Sequence, residues 1–176
     1  YPVTDNNGLK DAINNATDGS TVLIISGEYT LSDPAEISKI EIPAGATIAG
    51  AGADNTTLNV NNDKIAKDNV TLKDMTIKGG DSQGTSGTLN VNGNNTTIEN
   101  IDYKGDGNIA IAVSTGGSNS GTTFRGTKIT NAFRGIQFWS LSGDSVIDNC
   151  VLDVAGYTFN IDAAAAGSTL TITNST

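Results

Sequence analysis

A chain of 176 residues is long enough for one domain. Ten basic against nineteen acidic residues leave a net charge of -9, so the sequence offers no positive stripe for nucleic acid or an anionic membrane surface. With no histidine and a single cysteine, Cys150, it excludes His-based metal sites, the commonest general base and an intrachain disulfide.

The first element is helical. Leu9, Ala12, Ile13 and Ala16 recur at the spacing of one helix face, Asp5, Asn6 or Asn7 can cap its start, and Asp18-Gly19 ends it. This predicts a helix over 6–17 that lies as a cap across the first coil of a stack. No stretch approaches the roughly 20 apolar residues of a membrane span.

From residue 20 to 176 the chain repeats itself. Val70-Thr71-Leu72-Lys73-Asp74-Met75-Thr76-Ile77 returns as Thr96-Thr97-Ile98-Glu99-Asn100-Ile101, as Thr122-Thr123-Phe124-Arg125-Gly126 and as Ser145-Val146-Ile147-Asp148-Asn149-Cys150. It starts again at Leu170-Thr171-Ile172-Thr173-Asn174. Taking Leu72, Ile98, Phe124, Ile147 and Ile172 as equivalent gives spacings of 26, 26, 23 and 25, and Ile48 and Ile24 extend the series backwards to seven rungs. Between these lie short strands with period-two alternation: 57–61, 88–92, 108–113, 135–139 and 157–162. Several short strands per repeat with no intervening helix specify an all-β fold, a right-handed, single-stranded parallel β-helix (a solenoid) of about seven coils. Each coil adds about 4.8 Å along the axis. The whole of 1–176 is then one domain, its last coil still in progress at Thr176. That open end is expected to continue into a longer protein or to be covered by another polypeptide segment.

One polar residue per repeat has a structural role. Asp74, Asn100, Asn149 and Asn174 stand where one strand bends into the next, a bend that needs the left-handed conformation Asn tolerates. Their side chains are expected to stack as an amide ladder, interrupted at Gly126. Cys150 aligns with Met75 and Ile101 and reads as a small buried hydrophobe.

These phrases, with Leu9-Lys10-Asp11-Ala12-Ile13, Asp18-Gly19-Ser20-Thr21-Val22-Leu23-Ile24 and Gly27-Glu28-Tyr29 before them, resemble the cap and coils of the pectate-lyase-like β-helix superfamily. The resemblance covers nearly the whole chain. It implies the fold but not the function, since that superfamily holds lyases, hydrolases, viral tail proteins and non-catalytic bacterial surface adhesins. Its lyases need acidic calcium ligands and an Arg or Lys base, and its hydrolases need two spaced carboxylates.

The alternation sets Leu58, Val60, Leu89, Val91, Ile109, Ile111, Ile136, Phe138, Phe159 and Ile161 inward. Thr57, Asn59, Asn61, Thr88, Asn90, Asn92, Ala110, Ala112, Gly135, Gln137, Trp139, Thr158, Asn160 and Asp162 then face outward. That outer face holds one carboxylate and no base, so no catalytic residue and no metal ligand is assigned. Arg125, Lys128, Asp148 and Asp153, with Arg134 in a nearby turn, make a weaker charged cluster. The sole tryptophan, Trp139, beside Gln137, with Phe133, Tyr157 and Asn160 near it, suits a sugar ring, which packs its C–H face on an aromatic and bonds its hydroxyls to amides.

The expected function is a non-catalytic, extracellular bacterial surface or adhesin-like module that holds a glycan or host surface, secreted or at the cell surface and without a cofactor. The alternatives are a fragment of a polysaccharide lyase or glycoside hydrolase acting on an acidic plant or host polysaccharide, with calcium as the lyase's ion, and a structural spacer.

Overall fold

The computed structural model describes residues 2–31, 41–79, 87–116 and 120–176, with backbone alone at 108–110. In chain order the elements are α1 (Asn6–Asn15), β1 (Thr21–Leu23), β2 (Gly27–Thr30), β3 (Thr47–Ala49), β4 (Thr56–Val60), β5 (Asp63–Ile65), β6 (Thr71–Gly79) and β7 (Leu89–Val91). There follow β8 (Thr97–Thr115), β9 (Thr123–Arg125), β10 (Lys128–Phe138), β11 (Asp144–Asp148), β12 (Val151–Asp153), β13 (Tyr157–Ile161) and β14 (Thr169–Thr173). Every pairing among these strands is parallel, and they wind into a solenoid with three sides.

The first side stacks β1, β3, β6, β8, β9, β11 and β14. The second stacks β2, β4, β6, β8, β10 and β12, and the third β5, β7, β8, β10 and β13. Seven rungs therefore lie on the first side, while five turns carry described strands on all three sides.

Parallel pairing in register turns the sequence repeat into columns of like side chains. On the first side Val22, Ile48, Leu72, Ile98, Phe124 and Ile147 point inward and are buried. The first rung is Val22, two residues before the Ile24 expected from the repeat. Ile24 is buried but bridges Val3 instead, which places it past the turn. On the second side Tyr29, Leu58, Ile77, Tyr103, Ile129 and Leu152 form the matching column. Truncating Phe124 to Ala should cost about 3–5 kcal/mol, the usual range for an aromatic at the centre of a packed core.

Two bends per coil hold this geometry. Asp74, Asn100, Gly126, Asn149 and Asn174 have φ of 59°, 51°, 58°, 53° and 52°, and Asn100 Nδ2 donates to Asp74 Oδ1 at 3.0 Å. Asn174 Nδ2 reaches Asp148 Oδ1 at 3.1 Å rather than the neighbouring asparagine. A second left-handed column comprises Gly19, Gly45, Asn69, Asn95 and Gly121, each two residues before a strand of the first side. There Asn95 Nδ2 donates to Asn69 Oδ1 at 3.3 Å.

Helix α1 closes the first coil with Leu9 and Ile13 buried. Asp5 caps it by accepting from the Gly8 N–H at 2.7 Å, and Asn6 Oδ1 accepts from Thr30 N on β2 at 2.9 Å. It ends at Asn15, short of residue 17, because Ala16 adopts an extended backbone. At the other end β13 and β14 pair on one side only, which leaves Phe159, Ile161 and Ile172 39%, 38% and 43% exposed.

The third side departs from simple alternation where β8 and β10 turn its corner. Ala112, expected outside, is in the core, while Ile111, expected inside, is buried away from the core cluster. The side chains of Ile109 and Ala110 lie outside the described residues.

Two substitutions probe this geometry. Gly126→Val should lower stability by about 2 kcal/mol in denaturant titration, because a Cβ there would meet Asn100 Oδ1 at 2.6 Å in a left-handed backbone. Tyr103 is the second probe: its phenol is buried, with a short hydrogen bond to Thr88, and burial raises its pKa well above the ordinary value. The folded state keeps that phenol neutral while the unfolded chain ionises near pH 10, so its contribution is complete below about pH 10 and lost as pH rises further. Tyr103→Phe should flatten the alkaline loss of stability without removing the smaller share carried by Tyr29, which burial also raises.

Candidate functional site

The four residues expected to meet a ligand, Trp139, Gln137, Asn160 and Tyr157, all lie on β10 and β13 or at their ends. The register pairs Arg134 with Tyr157, Gln137 with Asn160 and Phe138 with Ile161. Tyr157 therefore sits five residues from the level of Trp139, or about 16 Å along an extended strand. The structure brings Gln137 and Asn160 together and sets Tyr157 with Phe133 and Arg134. Trp139, half-buried, stands apart at the far end.

Gln137 does not face solvent as the alternation suggested. It is fully buried, in a polar column that runs Asn90, Ser114, Gln137, Asn160. Thr88 and Asn90, also expected outside, are buried as well. Hydrogen bonds account for this: Asn90 Oδ1 accepts from Ser114 Oγ at 2.6 Å and from Gly87 N at 3.1 Å, and its amide donates to Asn62 Oδ1 at 2.8 Å. A polar side chain leaves water without penalty only when its partners are supplied in this way.

Gln137 Oε1 accepts from Arg134 Nη1 at 3.0 Å and from Asn160 Nδ2 at 3.2 Å, and Asn160 also donates to Asp162 Oδ1 at 2.6 Å. The Arg134 guanidinium lies 5.6 Å from the Tyr157 ring centroid. Phe133 meets the same ring edge-on, with centroids 6.1 Å apart at 90°. Phe133 and Tyr157 remain 50% and 54% exposed, so two aromatic surfaces face water, with Asn160 the one half-exposed member of the polar column. Gly156 makes the arrangement possible, since a Cβ there would lie 2.6 Å from Phe133 O and 2.8 Å from its ring. A shallow cleft of about 410 Å³ opens beside Phe133, bounded by Asn131, Asp153 and Val154.

The alternative charged cluster is divided among the three sides. Arg125 and Asp148 share the first side, 4.0 Å apart. Lys128 and Asp153 lie on the second, and Arg134 is within β10 rather than in a turn. Cys150 is buried against the Asp148 carbonyl at 3.3 Å, and burial pushes its thiol pKa up, which disfavours the thiolate. Among the described residues no three of His, Cys, Asp and Glu gather in a metal-binding group, and no helix is long and apolar enough to cross a membrane.

Sequence reasoning misplaced Arg134, which it set in a turn with the charged cluster and not within β10 against Tyr157 and Gln137. The signal was present: the spacing of 23 from Phe124 to Ile147 also links Arg134 to Tyr157 and Gln137 to Asn160. None of the family models, curated proteins and solved structures compared with the chain matches it.

Gln137→Ala would strand the Arg134 and Asn160 donors. Thermal unfolding should show a loss of about 1–3 kcal/mol, while Asn160→Ala, at a more open position, should cost less.

Proposed function

We propose that this solenoid is a non-catalytic extracellular module of the bacterial adhesin type, secreted or held at a cell surface, that binds a glycan on the outer face of its third side. The parallel solenoid itself and the repeat phrases support a place in the pectate-lyase-like superfamily, and the adhesive reading rests on the exposed aromatic pair. The observation that carries the reading is the exposed Phe133–Tyr157 pair, buttressed by Arg134 and continued by Gln137, Asn160 and Asp162.

Chemically the pieces are complementary to a sugar. The rings offer flat apolar surface to pyranose C–H groups, and the Asn160 amide and Asp162 carboxylate, held in place by the buried Gln137, offer donors and acceptors to hydroxyls. Because the backing network is already hydrogen-bonded, little side-chain freedom remains to be lost on binding. Trp139 stands at the distance of a longer ligand rather than of one ring.

A glycan array probed with the labelled chain tests this. Binding to a discrete set of glycans is expected, weakened about tenfold or more, some 1.4 kcal/mol, by Tyr157→Ala and less by Trp139→Ala. Binding indifferent to both substitutions, or no binding at all, would contradict the proposal.

A further inference from the structure

Two columns of side chains run along the outward face of the first side. One is threonine at Thr47, Thr71, Thr97 and Thr123. The other, two residues further along β6, β8, β9 and β11, reads Lys73, Glu99, Arg125, Asp148; its place on β3 is taken by the buried Ala49, and Val146 stands in the threonine column on β11. Its charges alternate: plus, minus, plus, minus.

Within one chain the ion pairs along this column are long, while Asp148 Oδ1 also accepts from Thr173 Oγ1 at 2.7 Å and from Asn174 Nδ2 at 3.1 Å. Arg125 lies 3.9 Å from Glu99 and 4.0 Å from Asp148, with the arginine side chain 53% exposed and the two carboxylates 30% and 31%. Lys73 is 3.7 Å from Asp74 and 38% exposed. Such long, open ion pairs contribute little to folding and leave donors and acceptors turned to solvent.

The order of the signs has a geometric consequence. Read in reverse, the column is its own complement. A two-fold axis lying in a contact plane, directed along the strands and passing between the Glu99 and Arg125 rungs, sets Lys73 of one copy against Asp148 of the other, and Glu99 against Arg125. Each pair occurs twice, as an isologous contact requires. An axis along the stack would instead set each charge against its own copy or against a threonine. The threonine column is short-chained, so it allows two such faces to approach. We propose that this face is a self-association surface, through which two copies pair antiparallel.

The face is narrow. Seven rungs about 4.8 Å apart and three residues wide give roughly 300 Å² per copy, well under the about 800 Å² per partner of a standard interface. The pairing is accordingly weak and carried by charge, so it is screened within a Debye length of about 8 Å at physiological salt.

Sedimentation equilibrium at low salt over increasing concentration should show the mass rising from 18.0 kDa toward the dimer, and falling back in about 0.5 M salt. Arg125→Glu sets Glu99 against a glutamate twice and should weaken association at least about tenfold, whereas the double exchange Glu99→Arg with Arg125→Glu keeps every intermolecular pair opposite in sign and should restore it. A carbodiimide cross-link between Lys73 and Asp148 should form in the wild-type chain. These residues are three rungs apart within one chain, roughly 14 Å, beyond the reach of a direct amide, so that product reports two copies. A constant mass of 18.0 kDa at every concentration overturns the proposal. Association untouched by Arg125→Glu, or a dimer lacking the Lys73–Asp148 cross-link, does the same. If circular dichroism shows the exchanged variant unfolded, the wild-type cross-link decides. Glycan binding through Tyr157 lies on another side and is tested independently.

Discussion

Backbone pairing between consecutive parallel coils is the constraint on which every other feature of the molecule depends. Each inner strand of the first side bonds to the coil before and the coil after, as when Thr97 N donates to Val70 O and Thr123 N to Thr96 O at 2.9 and 2.8 Å. Once coils are held in this register, position in the repeat decides position in space. Apolar repeats become an inner column, bend residues become two left-handed columns, and outward residues become ladders whose chemistry is set by what recurs every turn. The core is therefore not a local achievement of any segment; Leu72 or Ile98 alone would have nothing to pack against.

The register was largely legible in the sequence because it rests on a physical period. The rungs from Ile48 to Ile172 could be aligned by their flanking Thr and Asn, and the left-handed bends by the residues that tolerate positive φ. Ile24 misled because an extra apolar residue, Val22, stands two positions earlier with the same parity, and only the bridge from Val3 distinguishes them. The second bend column was hidden among glycines and among asparagines that a composition so rich in Asn makes unremarkable.

The site was harder to read for a different reason. Alternation predicts which side of a strand a residue occupies, but not whether that side is covered. Gln137 keeps the predicted parity and is nonetheless buried, because Arg134, Asn160 and the Phe138 carbonyl satisfy it. Ala112 fails even on parity, since the chain turns a corner between the second and third sides. Tyr157 and Trp139 looked adjacent because both stood near an amide, yet the 23-residue step from β10 to β13 separates them along the strand direction. Three sides also mean three separate outer surfaces, which is why the charges of Arg125, Lys128 and Arg134 never meet and why the aromatic pair and the alternating charge column can serve different partners.

The stacking of coils is tested most directly by nuclear magnetic resonance, through scalar couplings across hydrogen bonds between them. The stacked arrangement predicts couplings from the Thr97 amide to the Val70 carbonyl, from Thr123 to Thr96 and from Val146 to Thr122, each spanning one repeat. Amides at these positions that couple instead to carbonyls of antiparallel neighbours, or exchange with solvent as fast as a loop, would contradict it.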